Sequence, residues 1–185
     1  MPALLPGRRR RAERPDPLPA EVRAAADLRR GERVLAHARL RHGGWVVATP
    51  SALVVLPPAS DEAGPLTSRY AWHDVAEAHW DPEQRLLDVR LADTDAPPVA
   101  VHLDEQPGAV PEVLRERVMS TYVLSQRVQV RGARGVTVAV RRDPGDDRLF
   151  VQVVADEGVN LTRPQVADQV QALSRDLAEQ VGLRL

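Results

Sequence analysis

The sequence predicts an α+β fold: an antiparallel meander of seven short strands closed by a helix, then a smaller β-β-β-α unit. Three observations predict it. Short apolar runs with period two recur from Gly31 to Leu103, separated by turn-forming residues. Val110, Leu114, Val118 and Tyr122 then recur at spacing four, the stripe of a core-facing helix. After residue 126 the period-two pattern returns for three strands before a second helical stripe.

Residues 1–18 carry Pro2, Pro6, Pro15 and Pro17 among arginines and alanines, and read as a flexible tail. Pro19 to Arg30 predicts a short helix. Glu21 in its first turn and Arg29 and Arg30 in its last suit the helix dipole. From Gly31, Val34, Ala36, Ala38 and Leu40 alternate with Leu35, His37 and Arg39, as a half-buried strand does. Gly43-Gly44 turns the chain. Trp45–Ala48 and Ala52–Leu56 make the next strands around Thr49-Pro50-Ser51, and 57–68 is a loop. Short strands are predicted at Arg69–Trp72 and Ala76–Trp80, then from Arg85 to Leu91 and around Val99, Val101 and Leu103. Such a meander curls into a sandwich or barrel. Pro111 suits a first helical turn, where its missing N–H has no partner to lose, and the helix is expected to end near Gln126.

The second unit, 127–185, opens at Val128 and turns at Gly132–Gly135. Val136, Val138 and Val140 alternate with Thr137, Ala139 and Arg141. Asp143-Pro144-Gly145-Asp146-Asp147 is a turn, and Leu149, Val151 and Val153 line one strand face. Thr162-Arg163-Pro164-Gln165 fits a capping box, with Leu161 and Val166 as its hydrophobic staple. Val166, Val170, Leu173, Leu177 and Val181 form one helical face, and Gly182 stops the helix. So small a unit is marginal alone and is expected to pack on the first unit or on a second copy.

Composition bounds the function. The 25 basic residues are all arginine, isoleucine is absent, and Asn160 is the single asparagine. That bias reads as a GC-rich genome rather than a need for guanidinium. Residues 1–41 balance to +6 and the remainder to −7. A basic lead-in on an acidic body argues against a duplex-binding body, because phosphate contacts need a positive face. With no cysteine there is no disulfide, thiolate nucleophile or cysteine-based zinc site. No apolar stretch follows Arg8-Arg9-Arg10-Arg11, and no window approaches a membrane span. The expected place is the cytoplasm.

Three stretches resemble bacterial pleckstrin-homology-like domains: Gly31-Glu32-Arg33-Val34-Leu35, Val46-Val47-Ala48-Thr49-Pro50-Ser51-Ala52-Leu53, and Arg69-Tyr70-Ala71-Trp72-His73-Asp74-Val75. The resemblance covers about residues 31–126. It implies the seven-strand meander closed by a helix, a fold that hosts many unrelated roles. Lipid-binding relatives place a basic cluster around the loop between the first two strands. Here that region offers Arg39, Arg41 and His42 on a short Gly43-Gly44 turn.

No catalytic residue, metal ligand set or cofactor is predicted. The histidines His37, His42, His73, His79 and His102 show no metal-ligand spacing. His73-Asp74 would make a general-base pair only if a turn brought both to one side; a turn or solvated histidine is the plainer reading. The aspartates of 143–147 do not follow a calcium loop and read as a hairpin turn. The candidate binding residues are Trp72 and Trp80, as a partner hot spot or else core, and Arg8, Arg9, Arg10 and Arg11, as an anion contact or else a solvated tail. The resulting expectation is a non-enzymatic adaptor that engages a protein partner, with a homodimer as one arrangement. A nucleic-acid or ribosome contact through the tail is the alternative, and an enzyme of another type the third reading.

Overall fold

The computed structural model describes residues 17–28, 31–58, 67–132 and 134–185. Its fold is α+β, with three antiparallel sheets and three α-helices among the described residues. Helix α1 (Ala20–Ala25) precedes a four-stranded sheet of β1 (Ala36–Arg39), β2 (Trp45–Ala48), β3 (Ala52–Leu56) and β4 (Ser68–Ala71), in that order. A 3-10 turn, Trp72–Asp74, leads into β5 (Val75–Asp81), β6 (Leu86–Leu91) and β7 (Val99–His102), which form the second sheet. Helix α2 (Val110–Thr121) follows. The third sheet has the order β10-β9-β8, from β8 (Tyr122–Arg131), β9 (Arg134–Arg142) and β10 (Leu149–Ala155), and α3 (Pro164–Gln180) packs on it.

In β1 the alternation read from the sequence is the one that builds the core. Ala36, Ala38, Val46, Ala48, Leu53 and Val55 turn inward from the first sheet to meet Leu87 and Val89 of the second. Val110, Leu114 and Val118 of α2 complete this core. β3 is buried on both faces, because Val54 and Leu56 pack beneath Val22 of α1 and Ala26, its C-cap. At Gly44 the backbone takes φ +89°, and a Cβ there would lie 2.2 Å from the Leu56 carbonyl oxygen. The hairpin therefore needs glycine. The first two sheets touch through a Leu40–Leu103 bridge and do not close into a barrel among the described residues.

Three local expectations are corrected. Helix α2 ends at Thr121 rather than near Gln126, and Tyr122 is already extended, at φ −80° and ψ 118°. Spacing four fits a strand's even positions as well as a helix, and the Tyr122-Val123-Leu124 run favours the strand. Trp72 lies on the 3-10 turn instead of a strand. The capping box does not form. Pro164 takes the first helical position, so Arg163 is the N-cap, and the Thr162 hydroxyl donates to Asn160 Oδ1 at 2.7 Å. The staple's Leu161 stays exposed, although Val166 is buried.

Candidate functional site

The chemistry-bearing side chains converge where the 3-10 turn meets the third sheet. Three carbonyls of that turn and its exit, those of Trp72, His73 and Val75, accept from side chains of the third sheet. Arg141 Nη2 donates to the Trp72 carbonyl at 2.9 Å and to the Val75 carbonyl at 3.0 Å. Gln152 Nε2 donates to the His73 carbonyl at 2.9 Å, and Gln152 Oε1 accepts from Arg141 Nη1 at 3.1 Å. Arg141 is wholly buried, with its guanidinium 3.8 Å from the centre of the Tyr122 ring. Burial pulls its pKa below the usual arginine range, while Tyr122 and Asp74 oppose that pull. The Tyr122 hydroxyl donates to the Ala76 carbonyl at 2.9 Å and closes the junction. This network joins the two units through specific polar contacts, which fix geometry more sharply than apolar packing does.

Beside it opens a cleft of about 390 Å³ lined by Ser51, Arg69, His73, Asp74, Asp143 and Asp146 among others. The 3-10 turn brings His73 and Asp74 to one side, with His73 Nε2 3.5 Å from Asp74 Oδ1. His73 Nδ1 lies 3.5 Å from Asp143 Oδ1, and the ring stands edge-on to Phe150 at 5.3 Å. Both nitrogen contacts exceed hydrogen-bond length. Ser51 is the hydroxyl in this cleft, and it donates to Glu32 Oε1 at 2.9 Å while accepting from Arg69 Nη2 at 3.0 Å. Its proton is thus directed at Glu32 and not at His73, which is not the arrangement of an activated nucleophile. Asp143 and Asp146 accept from the backbone N–H groups of Gly145 and Arg148, at 2.7 and 3.0 Å, as turn residues do. Among the described residues no three metal-ligating side chains gather at one point.

Two adjoining clefts meet at Tyr70 of β4, the outer strand of the first sheet among the described residues. One, of about 480 Å³, is lined by Tyr70, Asp74, Leu91, Ala92, Asp93, Ala96 and Gln152. The other, of about 340 Å³, is lined by Tyr70, Leu91 and residues Pro97 to Ala100. Tyr70 and Leu91 are common to both, so the clefts form one groove with an apolar floor and two aspartates at one end.

Of the residues singled out from the sequence, Trp72 is wholly buried and its indole N–H donates to the Thr49 carbonyl at 2.9 Å. Its ring offers no surface to a partner. Trp80 is half-buried and packs against the same core. Arg8, Arg9, Arg10 and Arg11 lie outside the described residues. Sequence reasoning missed Arg141, Gln152, Tyr70 and Leu91 as members of a junction or groove. For Arg141 the signal was present: Val136, Val138 and Val140 put it on the sheet face opposite α3, a face that a second unit can cover. No helix among the described residues is long and apolar enough to cross a membrane. No protein-family profile, curated protein or solved structure matches the chain.

Proposed function

We propose that this chain is a non-enzymatic binding module whose first unit is pleckstrin-homology-like and whose partner is another protein. The observation that carries the reading is the groove beside β4. Tyr70 and Leu91 line it, and Tyr70 belongs to β4, which among the described residues pairs with β3 alone. An extended segment of a partner can add to such an edge while placing alternate side chains in the groove. The order of four antiparallel strands, three antiparallel strands and a closing helix supports the pleckstrin-homology-like reading. The lack of cysteine suits a reducing cytoplasm.

The test is affinity capture from native lysate, with and without nuclease. It compares the full chain, the chain lacking residues 1–18, and Ala96→Arg, which fills the groove from its rim. A protein retained by the first two, resistant to nuclease and lost with Ala96→Arg, supports the reading. Partners held only by the full chain and released by nuclease overturn it in favour of a nucleic-acid contact through the tail.

A further inference from the structure

The three clefts around Tyr70 and His73 are joined, and their charge changes along the way. The cleft of about 340 Å³ shares Tyr70 and Leu91 with the cleft of about 480 Å³, which in turn shares Asp74 with the cleft of about 390 Å³. The first has no charged residue in its wall. The second adds Asp74 and Asp93, and the third adds Asp143, Asp146 and Arg69. Leu91 and Asp93 are close in the chain, so the apolar and acidic parts lie within about 7 Å of each other.

The arginines nearby do not pair with the acidic end of this groove. Arg69 is bound to Glu32 at 2.6 Å. Arg141 lies near Asp74, but its donors go to the carbonyls of Trp72 and Val75 and to Gln152. Arg148 sits 3.9 Å from Asp146. Asp74, Asp93 and Asp143 have no arginine ion pair among the described residues. Asp74 and Asp143 each have His73 at 3.5 Å, and the Asp74 side chain is 60% exposed. Asp93 and Asp143 accept from the N–H groups of Asp95 and Gly145, which leaves their charge in place.

The chain's own sequence holds a segment with the matching order. Ala3-Leu4-Leu5-Pro6-Gly7 is apolar, and Arg8-Arg9-Arg10-Arg11 follows it. These residues lie outside the described ones. We propose that residues 3–11 seat in the groove and compete with a protein partner for it, a role that rests on the groove being the docking surface proposed above. Leu4 and Leu5 cover Tyr70 and Leu91, and the arginines face Asp93 and Asp74. The lengths suffice. Ala25, the last residue of α1, accepts from the Thr67 hydroxyl at 3.3 Å, and Thr67 leads directly into β4 and Tyr70. The path from Pro17 along α1 to Tyr70 is therefore no longer than about 35 Å, and the chain from Leu5 to Pro17 spans up to about 40 Å. Leu5 to Arg8 bridges about 10 Å, enough to pass from the apolar to the acidic part. An attached segment acts at an effective concentration on the order of 1 mM, so modest complementarity is enough to fill the groove.

Fluorescence anisotropy of a labelled peptide of residues 1–16 tests the proposal on three full-length chains. The first is natural. The second carries Arg8→Glu, Arg9→Glu, Arg10→Glu and Arg11→Glu, so its own segment is repelled. The third adds Asp74→Asn and Asp93→Asn to these. The expected result is binding to the second chain that weakens with salt. Binding to the natural chain, whose groove is taken, should be about tenfold weaker, and the third chain should lose it. Where Asp74→Asn disturbs the circular dichroism spectrum, Asp93→Asn alone decides. Equal binding by the first and second chains, or undiminished binding by the third, overturns the proposal. So does a peptide that fails to bind the second chain; if Ala96→Arg still abolishes capture of a protein, the docking surface stands without its competitor.

Discussion

The guanidinium of Arg141 donates to the backbone carbonyl of Trp72, 69 residues earlier in the chain, at 2.9 Å. This one side chain connects β9 to the turn between the first two sheets. It donates to the carbonyls of Trp72 and Val75 from a fully buried position.

Replacing Arg141 by methionine keeps most of the volume and removes the donors. The Val75 carbonyl then loses its side-chain donor and the Trp72 carbonyl keeps only the Val75 N–H, at a cost of about 2 kcal/mol. Arg141→Lys should recover only part of this, because an ammonium cannot reproduce the planar fork that serves both carbonyls and Gln152. Urea unfolding of the three proteins measures both differences. Equal midpoints for all three would show that the junction adds nothing to stability.

Trp72→Phe removes one donor from the core. The Thr49 carbonyl loses its indole partner, and stability should fall by about 2 kcal/mol from lost hydrogen bonding and lost volume. Fluorescence reports the same site. The chain has three tryptophans, and Trp72 is the one wholly buried, so the variant should lose the component that acrylamide cannot quench.

Asp156 carries a pH dependence of known sign. Its bonds to the Arg127 side chain and to the Gly135 N–H hold its pKa below the usual aspartate range. The folded state thus prefers the anion. Its stabilisation is fully present above the unfolded value of about 3.9 and is lost as pH falls through the lower folded value. Asp156→Asn should be less stable at neutral pH and should lose less on acidification. Denaturation midpoints measured from pH 7 to strong acid, as parallel curves for the two proteins, would contradict this.

Gly44→Ala forces a side chain into the left-handed region and against the Leu56 carbonyl oxygen, a backbone atom that cannot rotate away. The cost should reach about 2 kcal/mol or more, which lowers the melting temperature by roughly 5 °C in a chain of this size. Calorimetry reads it directly.

The strands were legible because burial on one face imposes period two. Ala36 and Ala38 of β1, and Val136, Val138 and Val140 of β9, lie on the core faces that their alternation implied. The stripe of Val110, Leu114 and Val118 was legible for the same reason at helical period. The start of β8 was not. Tyr122 continues that stripe in number, and nothing local tells a fourth helical turn from a first extended residue. The capping box failed because Pro164, with its fixed φ, takes the first helical position and leaves Arg163 as the N-cap.

The candidate site was less legible than the fold. His73 and Asp74 were visible as neighbours, but their joint orientation depends on a 3-10 turn of three residues, too short to leave a period. Arg141 was visible only as alternating with Val136, Val138 and Val140, and alternation says only which face a residue takes. What covers that face is decided by another part of the chain.

The sequence alone therefore determined the α+β class, the order of strands and helices, and the inward face of those strands that alternate, since these follow from local periodicity and turn chemistry. Only the tertiary structure decided that the first two sheets stay open, that Arg141 and Gln152 fasten the third sheet to the turn at Trp72, and that a groove lies beside β4. Each of these joins residues far apart in the chain, and the partner of a buried donor is chosen by what packing brings within about 3 Å of it.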